Sequence, residues 1–304
     1  MGSAQTKDDN PSKSDGTSGD QDDVVIAVMG STGTGKSSFI RLVSGDASVQ
    51  VGDSLESETD EVQVVRFVDP TSGRKVTIVD TPGFDDSRVG ITNTSVLKMI
   101  AEFLVQEYDA NRKLNGLVYL HRITDNRFGG QARGNLRMFR ELCGTEKYPN
   151  VVILTTFWDK VNEQDGANRE KQLKSNYCKE LVDGGANLMR SDRTMEAART
   201  VLEHIFTLNP TNVRIQEEIR VDGKSFEETA AGSVRQEQLN AILEAHRKEL
   251  AEIREEMKRS AEAEKKMLQE ELAELRKHVA QTEKEFSQLR QGIMQLIPLV
   301  LLLL

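Results

Sequence analysis

Apolar positions along the chain fall into three regimes. Residues 1–22 mix Ser, Gly, Asp and Lys without a period and contain no Val, Ile, Leu or Phe. Such a composition cannot bury enough apolar surface to offset ordering entropy, so this stretch is expected to be a disordered tail. At Val24 the pattern changes abruptly. The run Val24-Val25-Ile26-Ala27-Val28-Met29 is continuous, apolar and rich in β-branched residues, which predicts a strand buried on both faces. Residues 62–68, 75–79, 117–120 and 151–154 read as further strands. Asp69-Pro70-Thr71-Ser72-Gly73 supplies the turn that makes a hairpin of the first two. Helical periodicity occupies residues 36–43, 95–108, 134–142, 169–181 and 195–206. Strands alternating with helices predict an α/β fold with a doubly wound, mostly parallel sheet over residues 23–210.

The third regime follows Pro210. From Glu217 to Gln291 there is no proline and charge is dense. Leu239, Leu243, His246, Leu250, Ile253, Met257 and Ser260 lie on one stripe. Leu268, Leu272, Leu275, Val279, Thr282, Phe286, Leu289 and Ile293 continue it. Three successive steps of four between Ser260 and Leu272 mark a stutter in the heptad. Between Glu237 and Arg290 there are 13 acidic and 11 basic residues, so the charges nearly cancel. Glu244/Lys248, Glu255/Arg259 and Glu262/Lys266 are favourable i,i+4 pairs. Residues 211–292 are therefore expected to form a long coiled-coil arm; the alternative is a single solvated helix held by these pairs. A continuous helix of this length would extend on the order of 100 Å.

The net charge of −9 argues against a nucleic-acid partner, which needs a surplus of Lys and Arg. Cys143 and Cys178 are the only cysteines, too few for a disulfide framework or a Cys-rich zinc site, and a reducing, cytoplasmic setting is expected. The start of the chain lacks the apolar run of a signal peptide. Residues 293–304 form an apolar tail of about 12 residues, interrupted by Pro298, where a bilayer-spanning helix needs about 20. This tail is expected either to dip into an intracellular membrane or to pack in an oligomer.

Chemistry enters at Gly30-Ser31-Thr32-Gly33-Thr34-Gly35-Lys36-Ser37, which matches G-x-x-x-x-G-K-[ST] between a predicted strand and a predicted helix. The glycines allow a tight loop whose N–H groups approach phosphate oxygens. Lys36 would reach the β- and γ-phosphates, the Ser37 hydroxyl would ligate Mg²⁺, and the following helix, with Ser38 in its first turn, adds its dipole. Asp80-Thr81-Pro82-Gly83 closes the third strand. Asp80 there can hold Mg²⁺ through a water, and the Gly83 N–H can approach a γ-phosphate.

On these motifs the segment 24–208 resembles P-loop GTPases of the translation-factor-related class. Within that class it is most similar to the septin-like group with the immunity-associated and chloroplast-import GTPases, and to fungal G-domain proteins of that type. The resemblance implies a G domain that binds GTP or GDP with Mg²⁺ and often dimerises across the nucleotide face. It implies that one Thr of the first switch loop completes the Mg²⁺ shell, and Thr59 is the candidate. Such proteins carry [NT]-K-x-D after a strand; here the sequence is Thr156-Phe157-Trp158-Asp159. Asp159 would accept hydrogen bonds from the guanine N1–H and amino group, while Phe157 replaces the lysine whose stem covers the base. An ATPase of related fold therefore stays open. Trp158 reads as a packing residue, and no residue of 186–190 stands out as a fifth motif.

Ras-like enzymes orient the attacking water with a Gln after the switch glycine, but here Phe84 occupies that place. Either turnover is slow or another group enters the site. The segment His121–Phe128 is similar to one near the dimer face of the septin-like group. Arg127 or Arg122 would stabilise transition-state charge across a dimer, and His121 would contact phosphate or base in trans. The alternative is a surface loop with structural ion pairs. Two functions follow: a GTP-binding switch with weak or dimer-stimulated hydrolysis, or a nucleotide-binding scaffold that does not turn over.

Overall fold

A computed structural model describes residues 23–46, 49, 62–85, 92–259 and 262–291. The predicted tails 1–22 and 293–304 and the candidate Thr59 lie outside the described residues. A six-stranded sheet has the order β2-β3-β1-β4-β5-β6, from β1 (Asp23–Gly30), β2 (Gln63–Val68), β3 (Lys75–Asp80), β4 (Leu114–Arg122), β5 (Val151–Thr156) and β6 (Asn187–Arg190). Only β2 runs antiparallel to its neighbour; the other pairings are parallel. The sheet is therefore mixed, mostly parallel and doubly wound, as expected.

The reason is visible in β1. Val24, Ile26 and Val28 join one apolar cluster, while Val25, Ala27 and Met29 join the other on the opposite face. Alternation in a strand sends successive side chains to opposite sides, so a run apolar at every position must be covered twice. Helices α1 (Lys36–Ser44) and α6 (Met195–Phe206) cover the first face through Phe39, Ile40, Val201 and Ile205. Helices α2 (Asn93–Asp109) and α3 (Gly130–Cys143) cover the second.

The helix predicted over 169–181 is interrupted. Helix α4 (Glu163–Gln172) passes into a π turn at Leu173–Tyr177, and α5 (Lys179–Asp183) follows. Leu173 and Cys178 are both buried in the same core although five residues apart, a spacing that a π turn places on one face.

The region after Pro210 departs most from expectation. Helix α7 (Arg214–Arg220) packs on α2 and α3, and Val213 and Ile215 are fully buried in the second core cluster. Instead of one continuous arm there are two 30-residue helices, α8 (Ala230–Arg259) and α9 (Glu262–Gln291). Their contacts run in opposite directions: Arg235 meets Glu285, His246 lies beside His278, and Leu250 and Ile253 cluster with Leu272 and Leu275. The break between the two helices falls at the start of the predicted stutter, most of which lies within α9. The apolar seam is thus covered within the chain, by an antiparallel hairpin of about 45 Å rather than an extended helix of 100 Å. The root of the hairpin joins the core beneath the sheet through Ala231, Val234, Leu239, Phe286 and Leu289. A boundary at residue 210 therefore cuts through one continuous core. No helix among the described residues is long and apolar enough to cross a membrane.

Candidate functional site

The P-loop follows β1 at the point where the strand order reverses, between β3 and β4. Ligands of open α/β sheets bind at such a crevice. Gly30, Gly33 and Gly35 all have positive φ, at 148°, 73° and 91°, so the loop conformation itself selects glycine. Thr34 Oγ1 donates to the Ser31 carbonyl at 2.8 Å and stiffens the bend. Lys36 is buried, and its Nζ donates to the Gly30 and Ser31 carbonyls, both at 3.1 Å. Its ammonium therefore lies inside the cup formed by the loop. Ser38 sits half-buried in the first turn of α1, behind Ser37.

Ser37 Oγ donates to Asp80 Oδ2 at 2.6 Å. Asp80 is fully buried, and its Oδ1 has no hydrogen-bond partner among the described residues. Burial raises its pKa above the ordinary carboxylate range, opposed by the Ser37 hydrogen bond and the Lys36 charge. A buried carboxylate with one oxygen unpaired, beside a hydroxyl and across from an ammonium, is a donor set that fits a hard divalent cation and a phosphate.

Gly83 lies directly against the loop. A Cβ there would stand 2.3 Å from Thr32 Oγ1 and 2.6 Å from the Thr32 nitrogen, so only glycine fits. Thr32 N–H donates to the Phe84 carbonyl at 2.8 Å, and Phe84 N–H donates to the Gly30 carbonyl at 3.2 Å. The Phe84 ring is buried in the core with Val96, Leu97 and Ile100. It is turned away from solvent and supplies no polar atom.

Lys36, Ser37, Asp80, Gly83 and the P-loop glycines thus come together. His121 and Arg127 belong to a different surface. They line a cavity of about 420 Å³ with Phe128, Arg133, Arg169 and Tyr177. His121 is 5.2 Å from the Phe128 ring, and burial lowers its pKa from the ordinary histidine value, with the Asp125 charge opposing the shift. Arg127 is exposed on the wall of that cavity. Arg122 is the arginine brought to the P-loop: its Nη1 lies 3.4 Å from where a Cβ on Gly33 would be, and it pairs with Asp125 at 3.1 Å.

Past β5, Phe157 adopts a left-handed φ of 61°, and its ring edge lies 3.8 Å from the Cβ position of Gly35. Asp159 is exposed two residues on, 3.8 Å from Lys160 Nζ. Trp158 packs on Arg190, 4.0 Å from its ring centroid, and donates to Thr155 Oγ1, which fits a packing role. Sequence reasoning missed Arg193, which stands over the Phe157 ring at 5.4 Å from a loop after β6. Its only local signal is a polar stretch, Ser191-Asp192-Arg193, with no motif spacing.

Residues 25–155 match the family described as MMR_HSR1, 50S ribosome-binding GTPase. The chain is similar to GTP-binding protein A of Dictyostelium discoideum, 28% identical over 143 residues, which is 47% of this chain and 30% of that protein. It is also similar to translocase of chloroplast 34 of Arabidopsis thaliana, 26% identical over 175 residues, 57% of this chain and 52% of that one. The chain therefore spans about half or less of these relatives. Among solved structures, the chain is similar to Toc33 from Arabidopsis thaliana in complex with GDP and Mg²⁺, with a TM-score of 0.49 and 18% identity over 63% of this chain and 88% of that one.

Proposed function

Since this chain carries a P-loop GTPase G domain, we propose that it is a guanine-nucleotide switch: it binds GTP and Mg²⁺ at the P-loop and hydrolyses GTP slowly unless a second G domain approaches. The observation that carries this reading is the buried Asp80–Ser37 pair beside Lys36, with one carboxylate oxygen left unpaired. In this reading Lys36 trades its loop carbonyls for β- and γ-phosphate oxygens. Ser37 and Asp80 hold the cation, Asp80 through water. A Mg²⁺ held by Ser37 and Asp80 would supply positive charge beside the phosphate oxygens. Gly83 N–H faces the γ-phosphate, and Asp159 reads the guanine edge. Phe157 covers the base where lysine is usual, with Arg193 on the same platform.

Hydrolysis needs an oriented water, and buried Phe84 cannot supply the contact. Arg127 is exposed and available to a partner, which favours stimulation in trans. Single-turnover GTP and ATP hydrolysis by the full chain across a concentration series tests this. Specific activity is expected to rise with concentration for GTP. Arg127→Ala should flatten the rise with GTP affinity nearly unchanged, because the contact forms mainly in the transition state. Activity independent of concentration removes Arg127 from the mechanism, and negligible turnover throughout favours the scaffold.

Base choice is tested at Asp159. Asp159→Asn replaces one of the two acceptors for guanine with an amide donor that suits the extra carbonyl of xanthine. GTP affinity is expected to fall about tenfold while xanthosine triphosphate gains by a similar factor. Calorimetry that finds neither change excludes Asp159 from base reading.

A further inference from the structure

The segment after the DTPG motif is tied to the P-loop on one side and to the helical hairpin on the other. Thr32 and Phe84 exchange backbone contact, and Gly83 abuts the Thr32 backbone. In the guanine-nucleotide reading, on which this inference rests, both Gly83 N–H and the P-loop amides must face the γ-phosphate. As they stand they touch each other, so a γ-phosphate has to part them. Asp85 is the next residue, and it must move with them.

Asp85 is the centre of a polar relay. Its φ of 68° is a strained backbone state for a non-glycine residue, held by what surrounds it. Its carboxylate accepts from Asn135 Nδ2 at 2.7 Å, from Asn93 Nδ2 at 3.3 Å and from Ser31 Oγ of the P-loop at 3.3 Å. Its own N–H donates to Asn93 Oδ1 at 2.8 Å. Asn135 is buried in α3, and Asn93 opens α2. The residue after Asn93 carries the relay on: Thr94, also buried, accepts from Arg235 Nε of α8 at 2.9 Å. Arg235 is buried too, donates to Gln238 Oε1 at 3.2 Å and pairs with Glu285 of α9 at 3.1 Å. Burial lowers its pKa against the opposing charges of Glu285 and Asp85. At the Asn135 end, a Cβ on Gly134 would stand 2.6 Å from Gln238 Nε2, so α3 and α8 touch where the relay passes.

We propose that the α8–α9 hairpin senses the nucleotide state through Asp85: docking of Arg235 and Glu285 favours the closed contact between Gly83 and Thr32, and a γ-phosphate that opens this contact loosens the hairpin root. A linked equilibrium of this kind is reciprocal, so undoing the hairpin contact must favour the triphosphate. Asp85 is a positioning residue in this scheme; it touches no reacting atom.

The test uses the full chain with Mg²⁺ and either GDP or GTPγS. Removing one member of a buried ion pair can unfold the hairpin, so Arg235→Met with Glu285→Leu replaces both by apolar groups of similar size. GDP affinity is expected to stay within about twofold, while GTPγS affinity rises about fivefold or more. Asp85→Asn, which keeps the shape and removes the charge, should shift the ratio in the same direction. Hydrogen exchange in α8 and α9 should be faster with GTPγS than with GDP in the wild type, and equal in the double variant. Arg247→Ala, on exposed pairs with Glu244 and Glu283, should change neither readout. A wild type that binds both nucleotides with equal exchange in the hairpin, or an unchanged affinity ratio in the double variant, overturns the relay alone. A wild type that binds neither nucleotide overturns the guanine-nucleotide reading and the relay with it.

Discussion

Replacing Lys36 with alanine is expected to weaken GTP binding about 100-fold, ~3 kcal/mol, with little change in the stability of the apo protein. The binding loss follows from removing a point charge from the cup of the P-loop. The small stability change follows from the hydrogen bonds that remain. Of the two carbonyls that accept from Nζ, the Gly30 oxygen also accepts from Phe84 N–H and the Ser31 oxygen also accepts from Thr34 Oγ1. Neither is left without a donor, so the usual cost of an orphaned buried acceptor does not arise. Calorimetry with GTP and Mg²⁺ measures the first effect and a thermal melt of the nucleotide-free protein the second. Equal GTP affinity in variant and wild type would remove the P-loop from nucleotide binding. A large fall in melting temperature would instead make Lys36 a structural residue.

What the sequence made legible was local. The apolar runs of β1, β4 and β5 were readable because burial on both faces leaves no polar position to confuse the period, while β2, with Gln63 and Arg66, was readable through the Pro-Gly turn that joins it to β3. The P-loop and Asp80 were readable because phosphate and cation chemistry constrain neighbouring residue types. β6 was not, since Asn187–Arg190 has four residues, a half-exposed burial pattern and Asn and Arg at its ends. The single helix expected over 169–181 failed at Leu173–Tyr177, where a spacing of five between buried residues required a π turn. The hairpin failed for a different reason. A heptad seam reports that a helix needs an apolar partner, and says nothing of whether the partner is another chain or the next helix. Asn93, Asn135 and Arg235 were invisible because each comes from a separate segment with no motif around it, and Asp85, though it follows Asp80-Thr81-Pro82-Gly83, carries no spacing that points to them. Arg122 and Arg127 were both candidates in sequence for an arginine acting across a dimer; the end of β4 places Arg122 beside Gly33 of its own chain and leaves Arg127 exposed on the cavity wall.

The hairpin also supplies the sharpest contest between local and tertiary forces, at Gly232. It is the third residue of α8, and its N–H donates to Oγ1 of Thr229, the residue just before the helix, at 3.1 Å. Judged by helix propensity alone, Gly232→Ala should stabilise the protein by about 1 kcal/mol. The packing says otherwise. A Cβ at that position would stand 2.1 Å from the Phe226 carbonyl oxygen and 3.0 Å from the Glu227 Cα, which are backbone atoms and have no rotamer to yield. Phe226 is itself buried in the core that joins the hairpin root to α2 and α3, so it cannot retreat without opening that core. The substitution is therefore expected to destabilise by about 2–3 kcal/mol, the clash exceeding the propensity gain. Urea denaturation of the full chain measures the sign directly. A variant as stable as wild type, or more so, would mean that the start of α8 sits farther from Phe226, and that the hairpin root is held only by Arg235 and the apolar seam. A loss of the expected size, with the sheet core still folded at low urea, would locate the weakest joint of the molecule where α8 leaves the G domain.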